Sequence, residues 1–168
     1  MNEKEYISLV PGPSHIYPRV LKAMSNQIGT HLHNYWQDYY LNTCDKVKRL
    51  FQTQGDAFLM ASSGTGAVEA AISSVICPGG TFLVLSNGLF GDRLAMIAKT
   101  HSINVVTINF PTNESIDPEK LVSLFKEKGN IFEAVGMVYC ESQNGILNPV
   151  KDIAKICNSF DVPLIVDA

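Results

Sequence analysis

Five short apolar runs, separated by stretches of helical periodicity, constrain this sequence more than any other feature. They are Ala57 to Ala61, Thr81 to Ser86, Val105 to Ile108, Ala134 to Cys140 and Pro163 to Val166. None shows sustained polar alternation, the pattern of strands covered on both faces. Between them, Gly64 to Ile76, Leu89 to Thr100, Asp117 to Glu127 and Pro149 to Ser159 carry helical patterns, each entered or left through Gly, Pro, Asn or Ser. Strand and helix in turn predict a mostly parallel sheet with helices on both sides, a three-layer α/β/α body.

Residues 1–52 depart from that rhythm. Pro11-Gly12-Pro13-Ser14 is a rigid, turn-rich entry, and helices are expected over Pro18 to Met24 and Trp36 to Phe51. With no linker or repeat in view, this segment is expected to pack on a body formed by residues 53–168. Pro163-Leu164-Ile165-Val166-Asp167 reads as a strand that has just reached its carboxyl end, where open α/β sheets bind their ligands. The body is therefore expected to be partial, with its C-terminal remainder absent.

Composition narrows the partners. The 168 residues are 46% apolar and 17% charged, with a net charge of -3 and no basic run, so nucleic acid and anionic membrane surfaces are not expected partners. The polar start, Met1-Asn2-Glu3-Lys4-Glu5-Tyr6, lacks the form of a secretory signal, and no apolar run reaches membrane-spanning length. A cytoplasmic protein is expected. Cys44, Cys77, Cys140 and Cys157 are scattered, which predicts buried free thiols and neither a disulfide framework nor a zinc site. His31 and His33 have no acidic or thiol ligand to complete a metal site.

Four local patterns carry chemistry. In Ala61-Ser62-Ser63-Gly64-Thr65-Gly66, a strand is expected to pass into a helix through small hydroxyl and glycine residues, so unpaired N–H groups and hydroxyls can meet a phosphate. The same residues also suit a tight, serine-capped turn. In Ser86-Asn87-Gly88-Leu89-Phe90-Gly91, Phe90 either stacks on a planar ligand or staples a helix start to the core. In Tyr139-Cys140-Glu141-Ser142-Gln143-Asn144-Gly145, Glu141 or Ser142 either faces a ligand or caps a loop. Asp167, a carboxylate ending an apolar strand, calls for a cationic partner.

In order and spacing, these patterns resemble class V, fold-type I pyridoxal-phosphate aminotransferases of the alanine-glyoxylate and serine-pyruvate kind. The likeness rests on Pro11 to Ser14, Ser63 to Ala70, Asn87 to Arg93, Glu141 to Gly145 and Val166 to Ala168. It implies that Ser63, Gly64 and Thr65 hold the cofactor phosphate, that Phe90 stacks on the pyridine ring and that Ser142 bonds the phenolic oxygen. Asp167 would pair with the ring nitrogen and set the ring's strength as an electron sink. It also implies a homodimer acting on small amino acids and 2-oxo acids. Relatives place the lysine that carries the cofactor beyond the position of Asp167, so this chain alone is expected to be inactive. Transamination from alanine or serine to glyoxylate or pyruvate is the leading expectation. 2-Aminoethylphosphonate-pyruvate and ureidoglycine-glyoxylate aminotransferases are alternatives, as is a noncatalytic fragment or interaction subunit that retains the fold.

Overall fold

The computed structural model describes residues 8–129 and 131–168. The chain divides after Ala61 into two compact units. The N-terminal unit carries helix α1 (Pro18–Met24), started by a proline at its first turn, and helix α2 (Asn34–Phe51). The His33 ring caps α2 by accepting the Tyr35 N–H at 3.4 Å, and the Trp36 ring stacks on Tyr39 along the helix. Within this unit the Tyr40 hydroxyl accepts the Leu59 N–H, and Lys48 pairs with Asp56.

The second unit, Ser62–Ala168, holds the sheet. Its elements in chain order are α3 (Gly64–Val75), β1 (Thr81–Ser86), α4 (Leu89–Thr100), β2 (Asn104–Asn109), α5 (Pro118–Lys128), β3 (Ala134–Val138), β4 (Cys140–Glu141), β5 (Ile146–Leu147), α6 (Val150–Ser159) and β6 (Leu164–Asp167). Strands β2, β1, β3 and β6 lie side by side in that order, all parallel, while β4 and β5 form a separate antiparallel hairpin. The two central strands β1 and β3 are buried almost throughout, as their unalternating apolar sequences require.

Side chains alternate across each strand, so the sheet has two cores. On one face Phe82, Val84, Val138 and Ile165 pack with Ile72 of α3 and Leu94 and Ala98 of α4. On the other, Leu83, Leu85, Val135 and Met137 pack with Leu121 and Phe125 of α5 and Ile153 of α6. This is the expected three-layer arrangement.

Three expectations are corrected. Residues 57–61 form no strand, since an apolar run becomes one only where a neighbour completes its backbone ladder, and these residues lie outside both sheets. The run Ala134 to Cys140 breaks after Val138: the Tyr139 N–H still reaches the Asp167 carbonyl, while the Tyr139 carbonyl turns to the Asn148 N–H and starts the hairpin. Cys44 and Cys157 are buried free thiols, but Cys77 and Cys140 are exposed, because one lies in the turn after α3 and the other on the hairpin. Burial pushes the Cys157 thiol up to about 11.

Candidate functional site

The chain runs from β1 to β2 on one side of the sheet and then crosses back to place β3 on the other side of β1. That reversal opens a crevice beyond the carboxyl ends of β1 and β3, the place where α/β sheets take ligands. Phe90 follows β1, Glu141 and Ser142 follow β3, and Asp167 ends β6.

Two helices point their amino ends into this region. At α4 the chain itself satisfies the orphan N–H groups. Leu89 N–H donates to Gln143 Oε1 at 2.7 Å, and Phe90 and Gly91 N–H both donate to Glu141 Oε2 at 3.0 and 3.2 Å. Glu141 is fully buried, and its other oxygen accepts the Gln143 N–H. This carboxylate sits against the positive end of the helix, where it is stabilised. Gly88 makes room for it, and Gly91 makes room for the end of β1. A Cβ on Gly88 would fall 2.5 Å from the Glu141 side chain, and one on Gly91 would fall 2.9 Å from Ser86 Cα. Glu141 is therefore the cap of α4 and fixes the turn that presents Phe90.

A buried amide pair ties down the surrounding loops. Asn87 donates to Asn148 Oδ1 at 2.9 Å and to the Glu114 carbonyl, while Asn148 donates back to Asn87 Oδ1 and to the Val138 carbonyl. Asn148 Oδ1 also accepts the Ile116 N–H. Asn144 bridges the Asn87 and Thr112 carbonyls, so the segments after β1, β2 and β3 are held together by side-chain amides.

At α3 the situation is reversed. Ser63 caps the helix with a long 3.4 Å bond from the Gly66 N–H. The Gly64 and Thr65 N–H groups and the Thr65 hydroxyl donate to nothing among the described residues. These donors border a cavity of about 240 Å³, which Gly64 and Thr65 line together with Phe90, Arg93 and Asp167. Its apolar wall comes from Val68, Leu94 and Ile97.

Of the residues expected from sequence, Gly64, Thr65, Phe90 and Asp167 share this cavity. Ser63 adjoins it as the cap of α3, and Ser142 lies exposed in the hairpin turn beside Glu141, outside the lining. Phe90 packs against the core, and it also lines the cavity. Burial holds the Asp167 carboxyl above its ordinary value of 3.8; repulsion from Glu141 adds to this and Arg93 opposes both. A carboxylate in that condition has an unmet demand for positive charge.

Sequence reasoning left the role of Glu141 open and gave none to Gln143, Arg93 or the Asn87–Asn148 pair. The usable signal for Glu141 was Gly88, whose missing side chain is the space the carboxylate fills.

A parallel sheet whose strand order reverses at β1, with an unclosed helix amino end, a ring and a carboxylate around one cavity beyond its strand ends, defines the class of open α/β folds. Within it, this chain belongs to the aminotransferase class-V family, whose model matches residues 9–168. It is 34% identical over 173 residues to a 2-aminoethylphosphonate–pyruvate transaminase of Phocaeicola vulgatus, covering 98% of this chain and 46% of that protein. Its fold superposes on ureidoglycine-glyoxylate aminotransferase of Bacillus subtilis with a TM-score of 0.88 at 28% identity, covering 94% of this chain and 40% of that one. Alanine–glyoxylate aminotransferase of Nostoc sp. gives a TM-score of 0.88 at 26% identity, with 99% and 44% covered. The chain thus spans under half the length of these relatives.

Proposed function

We propose that the cavity binds pyridoxal 5'-phosphate and that the protein containing this chain transfers an amino group from a small amino acid, alanine or serine, to a 2-oxo acid, glyoxylate or pyruvate. One observation carries the reading: the free N–H groups of Gly64 and Thr65 share a cavity with Phe90 and Asp167, whereas the neighbouring α4 has its amino end closed by Glu141. The donor set fits the group. Backbone N–H groups and hydroxyls at Ser63, Gly64 and Thr65 suit a phosphate, and the Phe90 ring suits a flat heterocycle.

In this role Asp167 holds a proton at the ring nitrogen, where a cation offsets both its burial and the repulsion from Glu141. Phe90 orients the ring by stacking, and Ser142, carried by the hairpin that Glu141 anchors, donates to the phenolic oxygen. Bound there, the cofactor supplies an electron-accepting ring. A homodimer in the cytoplasm belongs to the same reading and is supported by the family likeness. The transaminase of Phocaeicola vulgatus, at 34% identity, favours a second reading in which the donor is 2-aminoethylphosphonate and the acceptor pyruvate.

Calorimetric titration of the chain with pyridoxal phosphate tests the site, with pyridoxal and inorganic phosphate as comparators. Saturable binding is expected, weaker by about ten-fold or more for pyridoxal, which lacks the anion that the helix end attracts. Equal binding of pyridoxal and its phosphate, or no binding of either, overturns the reading. Comparing alanine–glyoxylate with 2-aminoethylphosphonate–pyruvate transfer by the native polypeptide that contains this sequence then decides the substrates.

A further inference from the structure

The cavity contains one cationic side chain among its described lining residues, Arg93, and the established patterns leave it without a task. Arg93 lies three residues after Phe90 on α4, a spacing that brings two side chains to one helix face. Its guanidinium carbon sits 4.7 Å from the centroid of the Phe90 ring, within cation–π range. Arg93 makes no ion pair among the described residues.

We infer that Arg93 is a positioning residue of the cavity, whose guanidinium braces the Phe90 ring and whose charge balances the Asp167 carboxylate from a distance. The inference rests on reading the cavity as a pyridoxal-phosphate site. Asp167 lies on the α3/α4 face of the sheet, because its neighbour but one, Ile165, packs there while Leu164 and Val166 face α5 and α6. The charged groups of α6, Lys151, Asp152 and Lys155, therefore belong to the opposite face.

On the near face most charges are already engaged. Glu69 of α3 pairs with His101 at 2.8 Å, Asp92 of α4 accepts from Ser86 at 2.6 Å, and β3 carries no charged residue. Glu141 is committed to the first turn of α4 and repels Asp167. Arg93 is the group acting in the other direction.

The absence of a contact ion pair matters to the role. A guanidinium bonded directly to Asp167 would compete with a ring nitrogen for the same oxygens. One stacked on Phe90 favours the charged carboxylate while leaving those oxygens to the ring. It also stiffens the surface on which the ring rests.

Arg93→Gln removes the charge at similar length, and Arg93→Lys keeps the charge without the flat fork. Two readouts are needed: the Asp167 carboxyl titration by carbon-13 NMR in the cofactor-free chain, and equilibrium binding of pyridoxal phosphate. For Arg93→Gln the Asp167 midpoint is expected to move up and affinity to fall by about ten-fold, with the Lys variant close to wild type in the midpoint and intermediate in affinity. An unchanged midpoint and affinity in a folded Gln variant overturns the inference. If that variant does not fold, Arg93→Lys decides: a wild-type midpoint supports the role, and an upward displacement overturns it. Should the wild-type chain fail to bind pyridoxal phosphate, the cofactor reading falls, while the Asp167 titration still tests the charge role of Arg93.

Discussion

Helices α3 and α4 begin alike, each entered through a short stretch of small residues, and each faces the same end of the sheet with four backbone N–H groups that the helix cannot satisfy. The chain closes α4 with a buried carboxylate from β4 and an amide from the following turn. It leaves α3 with one long serine cap and two free donors beside a cavity. The same electrostatic device thus serves structure in one place and is left open beside a cavity in the other. What separates them is a non-local residue: Glu141 is fifty residues from the turn it holds.

The largest expected effect comes from opening the closed end. Glu141→Ala leaves the Phe90, Gly91 and Gln143 N–H groups without their acceptor, the first and last part-buried and the second buried, and should destabilise the fold by about 3 kcal/mol. Glu141→Gln keeps one acceptor oxygen and should lose roughly 1 kcal/mol. Urea unfolding followed by far-UV circular dichroism measures both. Equal loss in the two variants would show that charge, and not the acceptor, closes α4.

Next comes Gly91→Ala. Its added methyl group meets Ser86 Cα at 2.9 Å, a backbone atom that cannot swing away. Overpacking costs about 1–3 kcal/mol and the better helix former returns about 1, so a net loss of about 1 kcal/mol is expected. A gain in the same unfolding experiment would mean that α4 is free to shift, and that Phe90 is not rigidly presented.

Most of the fold was legible because its signals are local. Helix α4 runs over the predicted Leu89 to Thr100, and α1 over Pro18 to Met24, since periodicity and the flanking Gly88 and Pro18 mark their ends. Residues 57–61 misled because an apolar run states that it is to be buried, not that a neighbour is there to pair with it. The site divides the same way. That Gly64, Thr65, Phe90 and Asp167 would line one cavity was readable from their own turns and helix starts and, for Asp167, from its strand end. Glu141 was ambiguous, and Gln143 and the Asn87–Asn148 pair were silent, because each acquires its meaning from partners brought close only by the sheet, as Arg93 does from Asp167 although its contact with Phe90 lies within α4.

At the open end a smaller effect is expected. Ser63→Ala removes a cap whose bond is already 3.4 Å long, so the loss should be only about 0.5 kcal/mol, at the low end for serine caps. Its affinity for pyridoxal phosphate should fall several-fold in parallel, since the hydroxyl is then no longer beside the anion. A loss of stability as large as that of Glu141→Ala would erase the distinction between the two helix ends.

The smallest effect separates the two carboxylates. Glu141 has its donors, whereas the Asp167 carboxyl is held above 3.8, first by burial and then by Glu141, with Arg93 opposing. A raised carboxyl binds its proton more tightly in the folded state than in the unfolded state. Its contribution to stability is therefore greatest below the ordinary carboxylate range and is lost as pH rises through the folded value. Asp167→Asn mimics the protonated form at every pH, so the two proteins should be nearly equally stable in acid, and the variant should pull ahead as pH rises toward neutrality and then level off. Adding pyridoxal phosphate should reverse the order at neutral pH, because a cationic ring nitrogen stabilises the carboxylate and not the amide. Thermal melts of both proteins across pH, with and without the cofactor, measure this. If the variant instead falls behind as pH rises without cofactor, Asp167 already has a cation in contact and needs none from a ligand.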